Sequence, residues 1–121
     1  LVHRQNAADR YAALLEGVVG TPSLETGVTS SWAQYVIQLP QGSNRDAICK
    51  ALGTAGVPTA IYYPVPMHRQ PPYAHYPVSS CDLPVTMDLC DHVLALPMHP
   101  YLETAQQAHI AASLKDALTK A

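Results

Sequence analysis

The sequence predicts an α+β domain: a small, mostly antiparallel three-stranded sheet with helices packed on one face, in the order α-β-α-β-loop-α-β-α. Three observations carry that expectation. Short apolar or β-branched runs alternate with longer segments whose apolar residues recur at helical spacing. Proline- and glycine-rich stretches punctuate each change of period. Finally, 121 residues with 48% hydrophobic content suit one domain with a modest core, not a disordered chain.

Residues 4–19 form the first predicted helix. Ala7, Ala8, Tyr11, Leu14, Leu15 and Val18 make its stripe, and Gly20-Thr21-Pro22 stops it. No capping side chain stands at Leu1. The start therefore reads as the inside of a longer helix at a fragment boundary, with the Tyr11, Leu14 and Leu15 side turned towards an absent domain. Residues 32–39, Trp-Ala-Gln-Tyr-Val-Ile-Gln-Leu, predict the first strand, with its turn at Pro40-Gln41-Gly42. Ser43 is the expected cap of the next helix, with Asp46 reaching back in a capping box. Ile48, Ala51 and Leu52 are its inward stripe, and Gly53 or Gly56 ends it in a left-handed conformation. Val57–Tyr62 predicts the second strand.

A proline-rich loop follows from Tyr63 to about Ser80, and ordered loops of that length are usually functional. Pro84–His92 predicts a short helix with Pro84 in its first turn, and Val93–Leu96 the third strand. Thr104 is the expected cap of the last helix, with Gln107 as its box partner. Ile110, Ala111, Leu114, Ala117 and Leu118 form that helix's apolar face.

Charge and composition exclude several functions. A net charge of −2, a pI near 6.3 and no Lys/Arg stripe argue against nucleic acid or a membrane surface as partner. No apolar run approaches the roughly 20 residues of a membrane span, and the polar N-terminal pattern is not that of a signal peptide. Cys49, Cys81 and Cys90 are odd in number and lack CxxC spacing. No disulfide framework is expected, and a reducing cytoplasm is the expected location.

Chemistry concentrates at two strand-to-loop junctions. The first is Ile61-Tyr62-Tyr63-Pro64-Val65-Pro66-Met67-His68-Arg69-Gln70, and the second is Leu94-Ala95-Leu96-Pro97-Met98-His99-Pro100-Tyr101-Leu102. Binding groups often sit on loops held by a rigid scaffold. Other candidates fall away. His68, His75, Cys81, Cys90, His92 and His99 match no zinc spacing, so no metal ligands are expected. Cys90 and His92, two apart on a helix, point roughly 200° away from each other, so they form no nucleophile–base pair. Lys50, Lys115 and Lys120 lie on predicted helix faces or ends, with nothing to activate a Schiff-base amine. No catalytic or cofactor-binding residue is therefore expected in this chain. Taken singly, His68 or His99 would be a loop imidazole bonded to a nearby carbonyl. Each, however, follows a Pro-Met pair and an apolar strand, with Tyr62, Tyr63 or Tyr101 beside it. The repetition assigns His68, Tyr62, Tyr63, His99 and Tyr101 to a shared ligand-facing rim.

With Trp32-Ala33-Gln34-Tyr35, Asn6-Ala7-Ala8, Tyr11 and Leu83-Pro84-Val85, these junctions resemble the C-terminal part of DegT/StrS-type nucleotide-sugar aminotransferases, which are fold-type-I enzymes using pyridoxal phosphate (PLP). The likeness runs through nearly the whole chain, and Tyr-Tyr-Pro with Pro-Met-His-x-Gln is most similar to members acting on UDP-linked 3-keto sugars. It implies that residues 1–121 are the small C-terminal domain of a cytoplasmic, dimeric transaminase of polysaccharide biosynthesis. That enzyme would move an amino group, usually from glutamate, to a keto sugar on a nucleotide. The large N-terminal domain, with the PLP lysine and most phosphate ligands, would be a missing partner, as would the second subunit of the homodimer. His68 would hydrogen-bond the sugar or its diphosphate, and Tyr62, Tyr63, His99 and Tyr101 would shape the same rim. The resemblance implies no PLP on this chain and no activity for it alone. Arg69 departs from the aromatic or apolar residue that relatives tend to carry there. The rival expectation is a non-catalytic ligand-binding or regulatory module built on the same fold.

Overall fold

The computed structural model describes residues 1–78 and 82–120; Ser80, where the predicted loop ends, and Cys81 lie outside the described residues. Its order is α1 (Val2–Leu15), β1 (Tyr35–Gln38), α2 (Arg45–Thr54), two 3₁₀ turns at Met67–Arg69 and Pro71–Tyr73, α3 (Pro84–His92), β2 (Val93–Leu96) and α4 (Thr104–Lys120). The α+β expectation holds, and α3 and β2 fall where the sequence put them.

Helix α1 is displaced towards the N-terminus relative to the expected 4–19. It gives way at Leu15 to a turn in which Gly17 takes a φ of +69°, a conformation that glycine adopts without strain. Its burial also reverses one expectation. Tyr11 and Leu15 are fully buried in this chain's own core and Leu14 packs half-buried against it, because α1 lies on α4. That side is not turned to an absent domain. The core is a continuous cluster around Tyr11, Tyr35, Ile37, Leu52, Leu94 and Leu114. Tyr11 packs on Tyr35 with ring centroids 4.9 Å apart, and Tyr35 on Trp32 at 5.8 Å.

β1 and β2 pair antiparallel in the register Tyr35↔Leu96, Val36↔Ala95, Ile37↔Leu94 and Gln38↔Val93. Alternate residues Tyr35 and Ile37 are buried, as a half-covered strand requires. The strand starts later than expected because Trp32 has a φ of 48°, which breaks the extended run. The expected strand at Val57–Tyr62 is corrected: it is not a strand, so the sheet has two strands rather than three. Only Ala60 pairs, with Ala95. Pro58 has no N–H to give a ladder, and Pro64 and Pro66 lead the chain into 3₁₀ turns. On the opposite edge Gly20 and Gln38 exchange two bonds of 2.8 Å, with the Gln38 Cβ only 3.1 Å from where a Gly20 Cβ would stand.

The helix caps are shifted by one residue. Asn44, not Ser43, caps α2: its Oδ1 accepts the Ala47 N–H at 3.1 Å, and Ser43 instead closes the preceding turn on Pro40 O. Ile48 and Leu52 are buried, whereas Ala51 is exposed. The helix ends in a Schellman motif at Gly56, one of the two expected glycines, with Val57 N–H on Leu52 O and Gly56 N–H on Gly53 O. At α4 the box is not Thr104 with Gln107. Gln106 Oε1 accepts the Glu103 N–H at 2.9 Å, and Gln107 is fully buried on the α1 side. The predicted face of Ile110, Ala111, Leu114 and Ala117 is buried, and Leu118 packs against the core.

Candidate functional site

The second junction leaves the end of β2 and is tied to the core at two points. Tyr11 donates its hydroxyl to Pro97 O at 2.9 Å. Arg10 donates Nη2 to Leu102 O at 2.9 Å and Nε to Gln107 Oε1 at 2.5 Å. Gln107 in turn donates to Ala7 O at 2.8 Å, so a buried amide locks α1, α4 and this junction together. Between them His99 is exposed, and its Nδ1 accepts the Tyr101 N–H at 3.3 Å. That bond places a neutral imidazole's proton on Nε2. Tyr101 is 83% exposed.

The first junction is held by its own residues. Pro66 is buried; Arg69 N–H reaches Pro66 O at 2.9 Å and Gln70 N–H reaches Met67 O at 3.1 Å. His68 sits half-buried in this turn, and its Nε2 is buried without a hydrogen-bond partner among the described residues. Tyr62 and Tyr63 are both exposed, with rings edge-on at 5.6 Å. The peptide bond between Tyr62 and Tyr63 is cis.

Two grooves flank Pro58 and Pro97, which line both. One, of about 250 Å³, is walled by Ala33, Gln34, Thr59, Tyr62 and Met98. The other, of about 550 Å³, is walled by Val57, His99, Gln106, His109 and Ile110. Tyr62 and His99 therefore stand on opposite sides of one proline wall. Tyr101 faces a third recess with His3, Asn6 and Arg10, while His68 and Tyr63 line none of these three. Gln106 and His109 were not singled out from the sequence, and Gln34 only as part of the Trp32-Ala33-Gln34-Tyr35 run. His109 Nε2 lies 3.0 Å from Ala55 O, a tie between α4 and the end of α2 that nothing in local sequence signals.

Burial pushes the Tyr11 phenol well above the usual range, with the neighbouring Tyr35 adding to it. Burial also pushes Tyr35 up to about 12; the Asp9 carboxylate adds to this and the nearby Thr21 hydroxyl offsets part of it. Tyr11 thus stays protonated, and a donor to Pro97 O, across ordinary pH. Among the described residues no group of three or more His, Cys, Asp or Glu side chains could hold a metal ion, and no helix is long and apolar enough to cross a membrane. Lys50, Lys115 and Lys120 are all exposed, and Lys120 pairs with Asp116 at 2.6 Å. None offers the desolvated setting that a Schiff-base lysine needs.

Fold and grooves together define a small α+β domain whose ligand-sized recesses are walled by proline-fixed loops. Comparison with known proteins assigns it further: the DegT/DnrJ/EryC1/StrS aminotransferase family matches residues 1–115, and the chain belongs to that family. It is 40% identical over 112 residues to the UDP-2-acetamido-2-deoxy-3-oxo-D-glucuronate aminotransferase of Pseudomonas aeruginosa, covering 92% of this chain and 30% of that protein. It is 39% identical over 116 residues to the UDP-N-acetyl-3-dehydro-alpha-D-glucosamine 3-aminotransferase of Acidithiobacillus ferrooxidans, covering 95% and 30%. The crystal structure of a DegT DnrJ EryC1 StrS aminotransferase from Brucella abortus superposes with a TM-score of 0.89 at 40% identity, covering 97% of this chain and 31% of that one. The chain thus spans about 30% of the length of the curated relatives it matches.

Proposed function

We propose that residues 1–121 are the C-terminal small domain of a PLP-dependent aminotransferase that moves an amino group, from glutamate, onto the keto carbon of a UDP-linked 3-keto sugar. The observation that carries this reading is the 40% and 39% identity to two relatives whose names specify 3-oxo or 3-dehydro UDP sugars. The chain's own three lysines do not fit the PLP aldehyde. In this reading the cofactor belongs to a large domain, and no chemical step runs through this chain. Its contribution is to bind and orient the substrate.

The rim runs from Tyr62 and Tyr63 over Pro97 to His99 and Tyr101, and His68 hydrogen-bonds the sugar or its diphosphate. His68 supports this through its Nε2, which is buried without a partner among the described residues and so carries a desolvation cost that a ligand group would relieve. A small movement of its locally held 3₁₀ turn would offer that nitrogen to a ligand. The enzyme would work in the cytoplasm as a homodimer with its sites near the subunit interface.

The test joins this chain to a lysine-bearing large domain of the family. Amino transfer from glutamate to a UDP-3-keto sugar is then followed by mass analysis of the sugar product. Turnover is the expected result. Saturable binding of the nucleotide sugar without turnover would replace this reading with a non-catalytic binding or regulatory module. In parallel, borohydride treatment of this chain with PLP should give no stoichiometric adduct at Lys50, Lys115 or Lys120.

A further inference from the structure

The segment between the two grooves, a wall that both recesses share, is held to the core by few bonds among the described residues. Pro97 has no N–H. Two bonds inside the segment, Tyr101 N–H to His99 Nδ1 and Leu102 N–H to His99 O, both at 3.3 Å, curl it on itself; between Leu96 and Leu102 the described hydrogen bonds tie its main chain to another element at one atom, Pro97 O. The donor there is the Tyr11 hydroxyl, which comes from a helix 86 residues away in sequence. Its ring is fixed in turn: Tyr11 packs on Tyr35, Tyr35 on Trp32, and the Trp32 indole N–H donates to Gln5 Oε1 at 2.7 Å, back on α1. The hydroxyl therefore arrives from a rigid aromatic stack. It touches no groove surface, since Tyr11 is fully buried and lines neither recess.

We infer that Tyr11 is a positioning residue for the proposed reaction: its hydroxyl sets the height of the Pro97–Met98 wall between the grooves, and through it the seat of the substrate. This rests on the reading above for its functional half and on the hydrogen bond alone for its structural half. An off-rim anchor of this kind changes how well the substrate is bound and leaves the reacting groups untouched. Tyr11→Phe keeps the ring stack and removes only the donor, so wall and core separate experimentally.

The structural half is read on this chain labelled with ¹³C-methyl methionine. Met98 lines the smaller groove, whereas Met67 and Met87 lie outside it. In Tyr11→Phe the Met98 methyl resonance should shift and broaden, those of Met67 and Met87 should stay in place, and the melting temperature should change little. An unmoved Met98 signal overturns the inference. So does a collapse of the fold, which would make the hydroxyl a stability element and nothing more. The functional half is read on the polypeptide that includes the large domain. There Tyr11→Phe should raise KM for the nucleotide sugar about tenfold with kcat within about twofold. Equal loss in kcat, or an unchanged KM, overturns it. If the unsubstituted polypeptide shows no amino transfer, it is the functional reading that fails, and the methionine spectrum still decides whether Tyr11 sets the wall.

Discussion

Pro66-Met67-His68 and Pro97-Met98-His99 repeat one tripeptide, yet the first is held by bonds to its own loop and the second by the core. Around His68 the bonds among the described residues span five residues or fewer: Arg69 to Pro66, Gln70 to Met67, and the Gln70 side chain to Val65 O at 3.3 Å. Around His99 two local bonds, from the Tyr101 and Leu102 N–H groups to His99, are joined by two from the core, Tyr11 to Pro97 O and Arg10 to Leu102 O, 86 and 92 residues away in sequence. A loop held locally can tilt as a unit at low cost, whereas one held to a packed core moves only if the core does. The difference teaches that a shared motif fixes the chemistry a junction offers, and that long-range anchors decide whether it is a moving part or a wall.

The strongest challenge to that contrast is Gln107→Ala. It leaves the Arg10 guanidinium and Ala7 O without their partner inside the α1–α4 contact, and should cost about 3 kcal/mol. Urea unfolding would measure it, and a loss below about 1 kcal/mol would mean that the second junction is no better anchored than the first.

His68→Ala probes the other side. In the enzyme with its large domain it should weaken nucleotide-sugar binding by ~1.5–3 kcal/mol if the imidazole meets a charged diphosphate. Thermal melts of the same variant should barely move. Unchanged kinetics, or a melting loss large enough to explain the defect, returns His68 to a purely local role.

Alkali separates the two regions again, because the raised phenols sit under the second junction. Tyr11 and Tyr35 ionise less readily folded than unfolded, so the folded state binds more protons above the ordinary tyrosine pKa of 10. Stability is therefore whole below pH 10 and falls as pH rises from there through the folded-state values. For Tyr35, pushed up to about 12, the loss is about 3 kcal/mol. Tyr11→Phe should flatten part of this decline in denaturation curves taken across that range; an equally steep curve would remove Tyr11 as a contributor. The smallest effect belongs to Gln70→Ala. It removes one exposed local bond of the first junction and should change stability by less than about 0.5 kcal/mol. A loss above about 1 kcal/mol, measured in urea, would show that this turn is stiffer than its bonds suggest.

Legibility in the sequence followed the range of the interaction. The α4 stripe, the α3–β2 succession and the Gly56 helix end depend on periodicity and backbone preference, and all three were readable. The caps slipped by one residue because Ser43-Asn44 and Gln106-Gln107 each pair two side chains with the same capping chemistry. Gln107 was withdrawn from the cap by burial against α1, which only tertiary structure reveals. The expected strand at 57–62 failed on Pro58, whose missing donor outweighs the apolar run around it. At the candidate site, residue types pointed to both junctions. The wall that separates Tyr62 from His99, and the anchors behind it, arise from contacts across most of the chain.

The tie between Arg10, Gln107 and Leu102 has one more consequence. Its guanidinium is met by neutral oxygens, an amide and a carbonyl, instead of by a carboxylate. The ion pairs among the described residues lie elsewhere: Lys120 with Asp116, exposed on both sides, and His92 with Asp88, charged only when the imidazole is protonated. Dissolved electrolyte screens pairs of that exposed kind over roughly 8–10 Å and leaves buried dipoles nearly untouched. The tie that anchors the second junction is therefore little weakened by added electrolyte, in contrast to the exposed ion pairs.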